Sequence, residues 1–357
     1  MMNRTEALQK FHIEVVLPAK RRTIQLIDSR FREGHKAIFE DFLKGFLPFV
    51  SQLREIQKPV SHLQISWLRT SIFDNGPLLY LFEAYSEEWY ADIEEVTVEW
   101  EYDWLAAPVN KLYRHLLEAS TKFGLLEGDV RNVIYEIYPQ FNRYVQEAIR
   151  RGLCSYRTSE LVGGLNLCES WTLRMGEYLD YSEKLIGNPI TTSNHAKRQF
   201  LKQQKEEATG EDFTNVCVKK TDFSHGQYSY AAFVGADLSD CDFSESVFQN
   251  TNFREAILDG VNFGKSILAD SQFQKASLCG ADFRLCKGNI ANLNADVPCL
   301  FGVDFREANL RSADFRMSAL KGADFTGAAM DGAKFLLRDK DTWCFSDEQK
   351  QAIDWYA

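Results

Sequence analysis

A chain of 357 residues, 45% hydrophobic and 26% charged, has the make-up of a globular protein with room for two domains. Its net charge of −10 argues against the phosphate-driven binding typical of nucleic-acid proteins, leaving room for a basic protein partner. No apolar run approaches the roughly 20 residues of a membrane span, and "MMNRTEALQKFHIEVVLPAKRR" lacks the apolar stretch of a secretory signal, so a cytoplasmic protein is expected.

Residues 18–58 read as helix, with Pro18 in a favourable starting position and a break near Gly34. A β-rich block follows. "VSHLQISWLRTSIF" and "PLLYLFEAY" flank Asp74-Asn75-Gly76, a strong turn signal, and suggest a hairpin. In "EEVTVEWEYDW" (94–104), Val96, Val98, Trp100, Tyr102 and Trp104 alternate with Glu95, Thr97, Glu99, Glu101 and Asp103. That is a half-buried strand with an acidic outer face. Glu95, Glu99 and Glu101 read first as a solvated face and second as a contact surface for a basic partner.

Helices return at 108–124, stopped by Gly124, and at 128–152, kinked at Pro139 and ended by Gly152. "CESWTLRMGEYLDYSEKLIG" (168–187) is read as a last helical stretch. Residues 1–190 therefore form an α+β domain, mostly helical, with one small antiparallel sheet. The polar segment that begins at "NPITTSN" is read as a linker over 191–210.

From residue 211 the period changes. A bulky apolar residue recurs at every fifth position from Phe213 to Phe283 and again from Phe305 to Phe335, in the latter run with a small residue two places before each. One beat falls on Gly288. Across "NADVPCLFG" (294–302) the register slips by two, because Leu293 and Leu300 are seven apart. Neither the helix nor the strand period gives five. A fixed short period means a solenoid, since no five-residue unit can bury its own side chain.

"GADLSDCDF", "TNFRE", "VNFGK", "ADFRL", "ANLNA" and "ADFTG" resemble the pentapeptide-repeat proteins, whose signature is small–Asp/Asn–Leu/Phe–x–x. The resemblance covers about 211–337. It implies a right-handed quadrilateral β-helix over 211–340, with twenty residues per coil. On that expectation Phe223, Phe243, Phe263 and Phe283 stack on one face and Phe233, Phe253 and Phe273 on the opposite one. Phe305 then lies over Phe325, and Phe315 over Phe335.

Bare strand edges at the end of such a stack need a cover. Ser346 and Gln349 have capping-box spacing, so 341–357 is read as a capping helix carrying Ile353, Trp355 and Tyr356. The alternative is that these three residues join two copies of the chain.

Little points to chemistry. Six histidines include no pair at metal-ligand spacing, and eight cysteines include no CxxC. Between Arg69 and Lys111 lie ten acids and no base, with no grouping that supplies catalytic roles. No enzyme activity, cofactor or metal is expected. The leading reading is a non-enzymatic interaction or scaffold protein with a protein partner. The resemblance implies an alternative, a DNA mimic that binds DNA gyrase or topoisomerase IV and protects it from quinolones or toxins. Residues 210–340 hold 18 Asp/Glu against 14 Lys/Arg, a net of −4, which is modest for a mimic. The first candidate for a contact site is the slip, with Asp296, Pro298, Leu300 and Phe301.

Overall fold

The computed structural model describes residues 3–73, 76–94, 96–154, 156–187, 193–289 and 299–357. The chain divides into two compact units, residues 1–188 and 189–357.

The first unit opens with α1 (Arg4–Phe11), closed by a reciprocal cap between Asn3 and Glu6. A π-helical turn, His12–Val16, leads into α2 (Leu17–Ile56), so helix begins well before the expected Pro18. Gly34 departs from helical geometry (φ −139°, ψ 15°), where the break was expected. Strands β1 (Pro59–Trp67) and β2 (Leu78–Tyr85) pair antiparallel, and β3 (Val96–Tyr102) adds to β2. Helices α3 (Ala106–Ser120) and α4 (Glu127–Leu153) follow; α4 runs as one helix through Pro139 and ends next to Gly152, as expected. Phe42, Phe46 and Phe49 of α2 pack on Phe82, and Phe42 also meets Trp100, which ties the helix to one sheet face.

Two expectations are corrected here. After the short α5 (Thr158–Val162), residues 168–187 are not helix but belong to β4 (Asn166–Glu177) and β5 (Ser182–Gly187). Trp171, Leu173 and Met175 are buried at every second position, the strand period. Gly176 lets the hairpin close, because a Cβ there would stand 2.1 Å from the Tyr181 carbonyl oxygen. Second, β4 pairs parallel with β1, so the sheet is mixed, in the order β3-β2-β1-β4-β5.

The second unit starts with α6 (Asn194–Gln203), capped by Ser193. Its Leu201 is fully buried in the solenoid core and Lys197 pairs with Asp212 at 2.9 Å, so most of the stretch expected as linker packs on the first coil. Each turn of the solenoid takes twenty residues and makes four parallel bridges to the next: Asp212↔Ala232, Cys217↔Asp237, Asp222↔Asp242 and Gln227↔Val247 open the series. The residues on the five-residue beat from Phe213 to Phe283 point inward, with Phe223, Phe233, Phe243, Phe253, Phe263, Phe273 and Phe283 at 0% exposure. Rings stack along the expected columns, Phe233 on Phe253 at 5.1 Å and Phe263 on Phe283 at 5.3 Å. These distances are set by the strand spacing of about 4.8 Å.

In six units the small residue has a second task. Hydroxyl or thiol groups of Cys241, Ser246, Thr251, Ser266, Ser271 and Cys286 donate to the carbonyl of a core residue 23 positions earlier, on the previous coil. Burial without a partner would cost these groups about 1–3 kcal/mol each.

The slip is larger than the sequence indicates. Ile267 bridges Lys287, twenty residues on, but Gln272 bridges Asp304, 32 residues on. Twelve residues beyond a normal turn are therefore inserted, not two; the expected beat at Leu293 lies outside the described residues. Beyond the insertion the columns resume, with Phe273 on Phe305 at 5.0 Å and Phe283 on Phe315 at 4.7 Å. Gly288 offers no side chain because a Cβ there would meet Leu320 at 3.0 Å and Val303 at 3.2 Å.

The C-terminal segment is mixed rather than purely helical. Trp343 and Phe345 cover Phe325 and Phe335, α7 (Asp347–Ala352) begins at Ser346, and β7 (Asp354–Tyr356) pairs parallel with β6 (Lys334–Leu336). The exposed edge of the last coil takes a strand in preference to continued helix, because a strand satisfies its backbone groups.

Candidate interaction surface

Outward positions of the solenoid are set by the same five-residue unit. The Asp or Asn before each core residue accepts the backbone N–H two places on, as Asp222 does from Ser224 (2.8 Å), Asp282 from Arg284 (2.9 Å) and Asp324 from Thr326 (2.9 Å). The corner two places after the core residue is left-handed, for example His225 (φ 58°), Glu245 (φ 57°) and Lys265 (φ 63°). The aspartates at this position are thus committed to the turn that carries them.

Cations match many of these acids at close range. Arg284 pairs with Asp282 at 2.6 Å, Arg306 with Asp304 and Arg316 with Asp314 at 2.7 Å, Arg311 with Asp331 at 3.0 Å, and Lys219 with Asp237 at 2.6 Å. At Asp237 and Asp314 burial alone would raise the carboxyl pKa, but Lys219 with Ser239, and Arg316, hold it below the ordinary Asp value. The Ser224 hydroxyl and N–H do the same for Asp222. A surface neutralised pair by pair presents alternating charge, not a uniform negative cylinder.

One acid is used differently. Asp270 occupies a corner (φ 61°) yet is 0% exposed. It accepts the backbone N–H groups of Leu300 (2.9 Å), Phe301 (2.6 Å) and Gly302 (3.0 Å), and the Cys299 thiol lies 3.2 Å away. Successive N–H groups converging on one carboxylate form an anion-holding nest. Asp270 therefore fastens the returning end of the insertion to the preceding coil. Burial, then the neighbouring Asp270, pushes the Cys299 thiol up, and burial lifts Cys241 to about 11, so neither is a thiolate near neutral pH.

Of the residues singled out at the slip, Leu300 is buried and Phe301 half-buried beside Asp270, while Asp296 and Pro298 lie outside the described residues. On the first unit, Glu99 and Glu101 are exposed on the edge strand β3, and Glu95 lies outside the described residues. At the C-terminus Ile353 is buried in the solenoid core, Trp355 packs partly against it, and Tyr356 is 38% exposed with Arg316 over its ring at 4.7 Å. The structure brings Leu300 and Phe301 together with Asp270, a residue that sequence reasoning missed. Nothing in "ILADSQF" separates Asp270 from the corner residue Asp240, and its partners lie about 30 residues away.

Among the described residues no group of three or more His, Cys, Asp or Glu is placed to hold a metal ion, and no helix is long and apolar enough to cross a membrane.

A family model described as pentapeptide repeats matches residues 229–260, 246–284 and 299–335, in eight copies, all within the second unit. No curated protein matches the chain. Among solved structures, full-length QnrB1, a plasmid-mediated fluoroquinolone resistance protein, is 20% identical over 42% of this chain and 75% of its own, with a TM-score of 0.26. HetL, a pentapeptide repeat protein involved in heterocyst differentiation regulation in the cyanobacterium Nostoc, is 15% identical over 40% of this chain and 96% of its own (TM-score 0.19). A pentapeptide repeat protein of the Arabidopsis thaliana thylakoid lumen is 18% identical over 46% and 80% (TM-score 0.13). At such identities and scores these likenesses assign no partner to this chain.

Proposed function

We propose that this pentapeptide-repeat protein is a non-enzymatic interaction scaffold, working in the cytoplasm, whose repeat unit engages a protein partner at the insertion between Lys287 and Asp304. The observation that carries the reading is the twelve-residue excess in one turn of an otherwise uniform solenoid, fastened at its end by Asp270. A solenoid gains nothing in its core from such an excess, and breaks in regular elements concentrate at contact sites. Phe301 beside the nest, Asp296 and Pro298 are the residues proposed to meet the partner, while the buried Leu300 anchors the segment that carries them. Glu95, Glu99 and Glu101 on the first unit form a second proposed surface, suited to a basic partner.

The topoisomerase reading gains one observation and loses another. Projecting loops are what the resemblance implies for gyrase protectors, and an insertion of twelve residues is room for one, which a two-residue slip is not. Against it, many acids of the solenoid are paired with cations on the same or the adjacent coil, and a mimic of duplex DNA needs unpaired negative charge.

A gyrase supercoiling assay with the full chain, with and without a quinolone, separates the two. Inhibition or protection that disappears in the Asp296→Ala/Phe301→Ala variant would establish a topoisomerase-directed protein. With no effect, partners captured by cross-linking are titrated against the same variant; the scaffold reading expects at least tenfold weaker binding with an unchanged melting temperature. Undiminished binding of every captured partner would overturn the insertion as the contact site.

A further inference from the structure

The first unit contains a cleft that the interaction reading does not use. One stripe of α2, from Ala19 to Leu26, faces one stripe of α3, from Pro108 to His115, and each contributes residues at i, i+3, i+4 and i+7. Stripes of this spacing ordinarily carry apolar side chains that close helix against helix. Here the i+3 position of each is a cation, Arg22 on α2 and Lys111 on α3, and the stripes enclose an open cleft of about 310 Å³. That is the lower end of the range for small-molecule sites.

The cleft has an apolar floor and a basic rim. Ala19 and Leu112 are 2% and 3% exposed at its base, and Leu26 leaves 45% of its surface open. Arg22, Lys111 and His115 stand exposed around it. No carboxylate lines the cleft, and none of these three side chains makes a hydrogen bond or ion pair with the described residues. In a chain with 51 acids to 41 Lys and Arg, basic groups gathered without a counter-charge mark a place where an anion is favoured.

We propose that this cleft binds a small amphipathic anion, a carboxylate or phosphate head on a short apolar chain. Arg22 takes the head through its planar fork, which matches either group in bidentate fashion, while Lys111 adds a point charge and His115 a further donor. The apolar chain lies over Leu26, Leu112 and Ala19. This inference is independent of the proposed role of the repeat unit.

The test is calorimetric titration of the full chain with octanoate and with octyl phosphate. Octyl glucoside, with the same chain and no charge, and inorganic phosphate, with the charge and no chain, serve as comparators. One saturable site for both octyl anions is expected, with at least tenfold weaker binding of each comparator. Arg22→Gln/Lys111→Gln and, separately, Leu26→Asp should each weaken octyl-anion binding at least tenfold; all three positions are exposed, so the melting temperature should not move. Absence of saturable binding, equal binding of octyl glucoside or inorganic phosphate, or undiminished affinity in the charge variant would overturn the proposal.

Discussion

Replacing Asp270 by alanine removes an acceptor shared by three backbone N–H groups in a site with 0% exposure. Each buried donor left unmade costs about 1–3 kcal/mol, so a loss of about 3 kcal/mol or more is expected in urea unfolding. Hydrogen exchange should lose protection at Leu300, Phe301 and Gly302 while amides in distant coils keep theirs; retained protection at those three would show that the nest does not fasten the insertion. The inward phenylalanines were legible one by one, because each obeys a rule of spacing. Asp270 was not, because its role depends on what returns to it after 30 residues of chain. Glu83 teaches the same lesson in the first unit: fully buried on β2, it accepts from Ser66 of β1 and from Tyr85, a pairing that no local pattern announces.

At the scale of elements, the C-terminal closure turns on Gln349. Its side-chain amide donates to the carbonyls of Phe325 (2.8 Å) and Ala328 (3.0 Å), and its oxygen accepts from Ser346 N–H (3.0 Å). Gln349→Ala leaves those groups without their partner and should cost about 1–3 kcal/mol, read as a lower urea midpoint. An unchanged midpoint would show that α7 does not stabilise the last coil. The capping spacing that starts α7 could be read directly; the strand after it could not, since β7 exists only because β6 offers an edge. Residues 168–187 failed for the same reason. Their Glu, Leu, Met and Lys content suits a helix, and only the edge of β1, some 107 positions earlier at Pro59↔Asn166, selects the strand.

For the molecule as a whole, the depressed aspartates set the response to acid. Asp222 is held below the ordinary Asp range by Ser224, and at Asp237 and Asp314 burial, which raises the pKa, is outweighed by Lys219 and Arg316; in the first unit Arg4 lowers Asp129. A carboxyl whose folded pKa lies below its unfolded value contributes stability that is complete above the unfolded pKa of about 3.9 and is lost as pH falls toward the folded value. The melting temperature is therefore expected to show no loss from these groups between pH 7 and 5 and to fall progressively below pH 4; a rise below pH 4 would contradict the assignment. The repeat unit was the more legible half because each coil answers only to its neighbours, whereas the mixed sheet of the first unit joins strands from distant parts of the chain. Phe273 meets Phe305 at 5.0 Å across the insertion, much as Phe253 meets Phe273 at 4.9 Å without one. A residue's address in this solenoid is its column, not its count along the chain. Additions at the detour leave the core columns in place, while a change of five residues inside a coil would rotate everything downstream by a quarter turn and set leucines beneath rings.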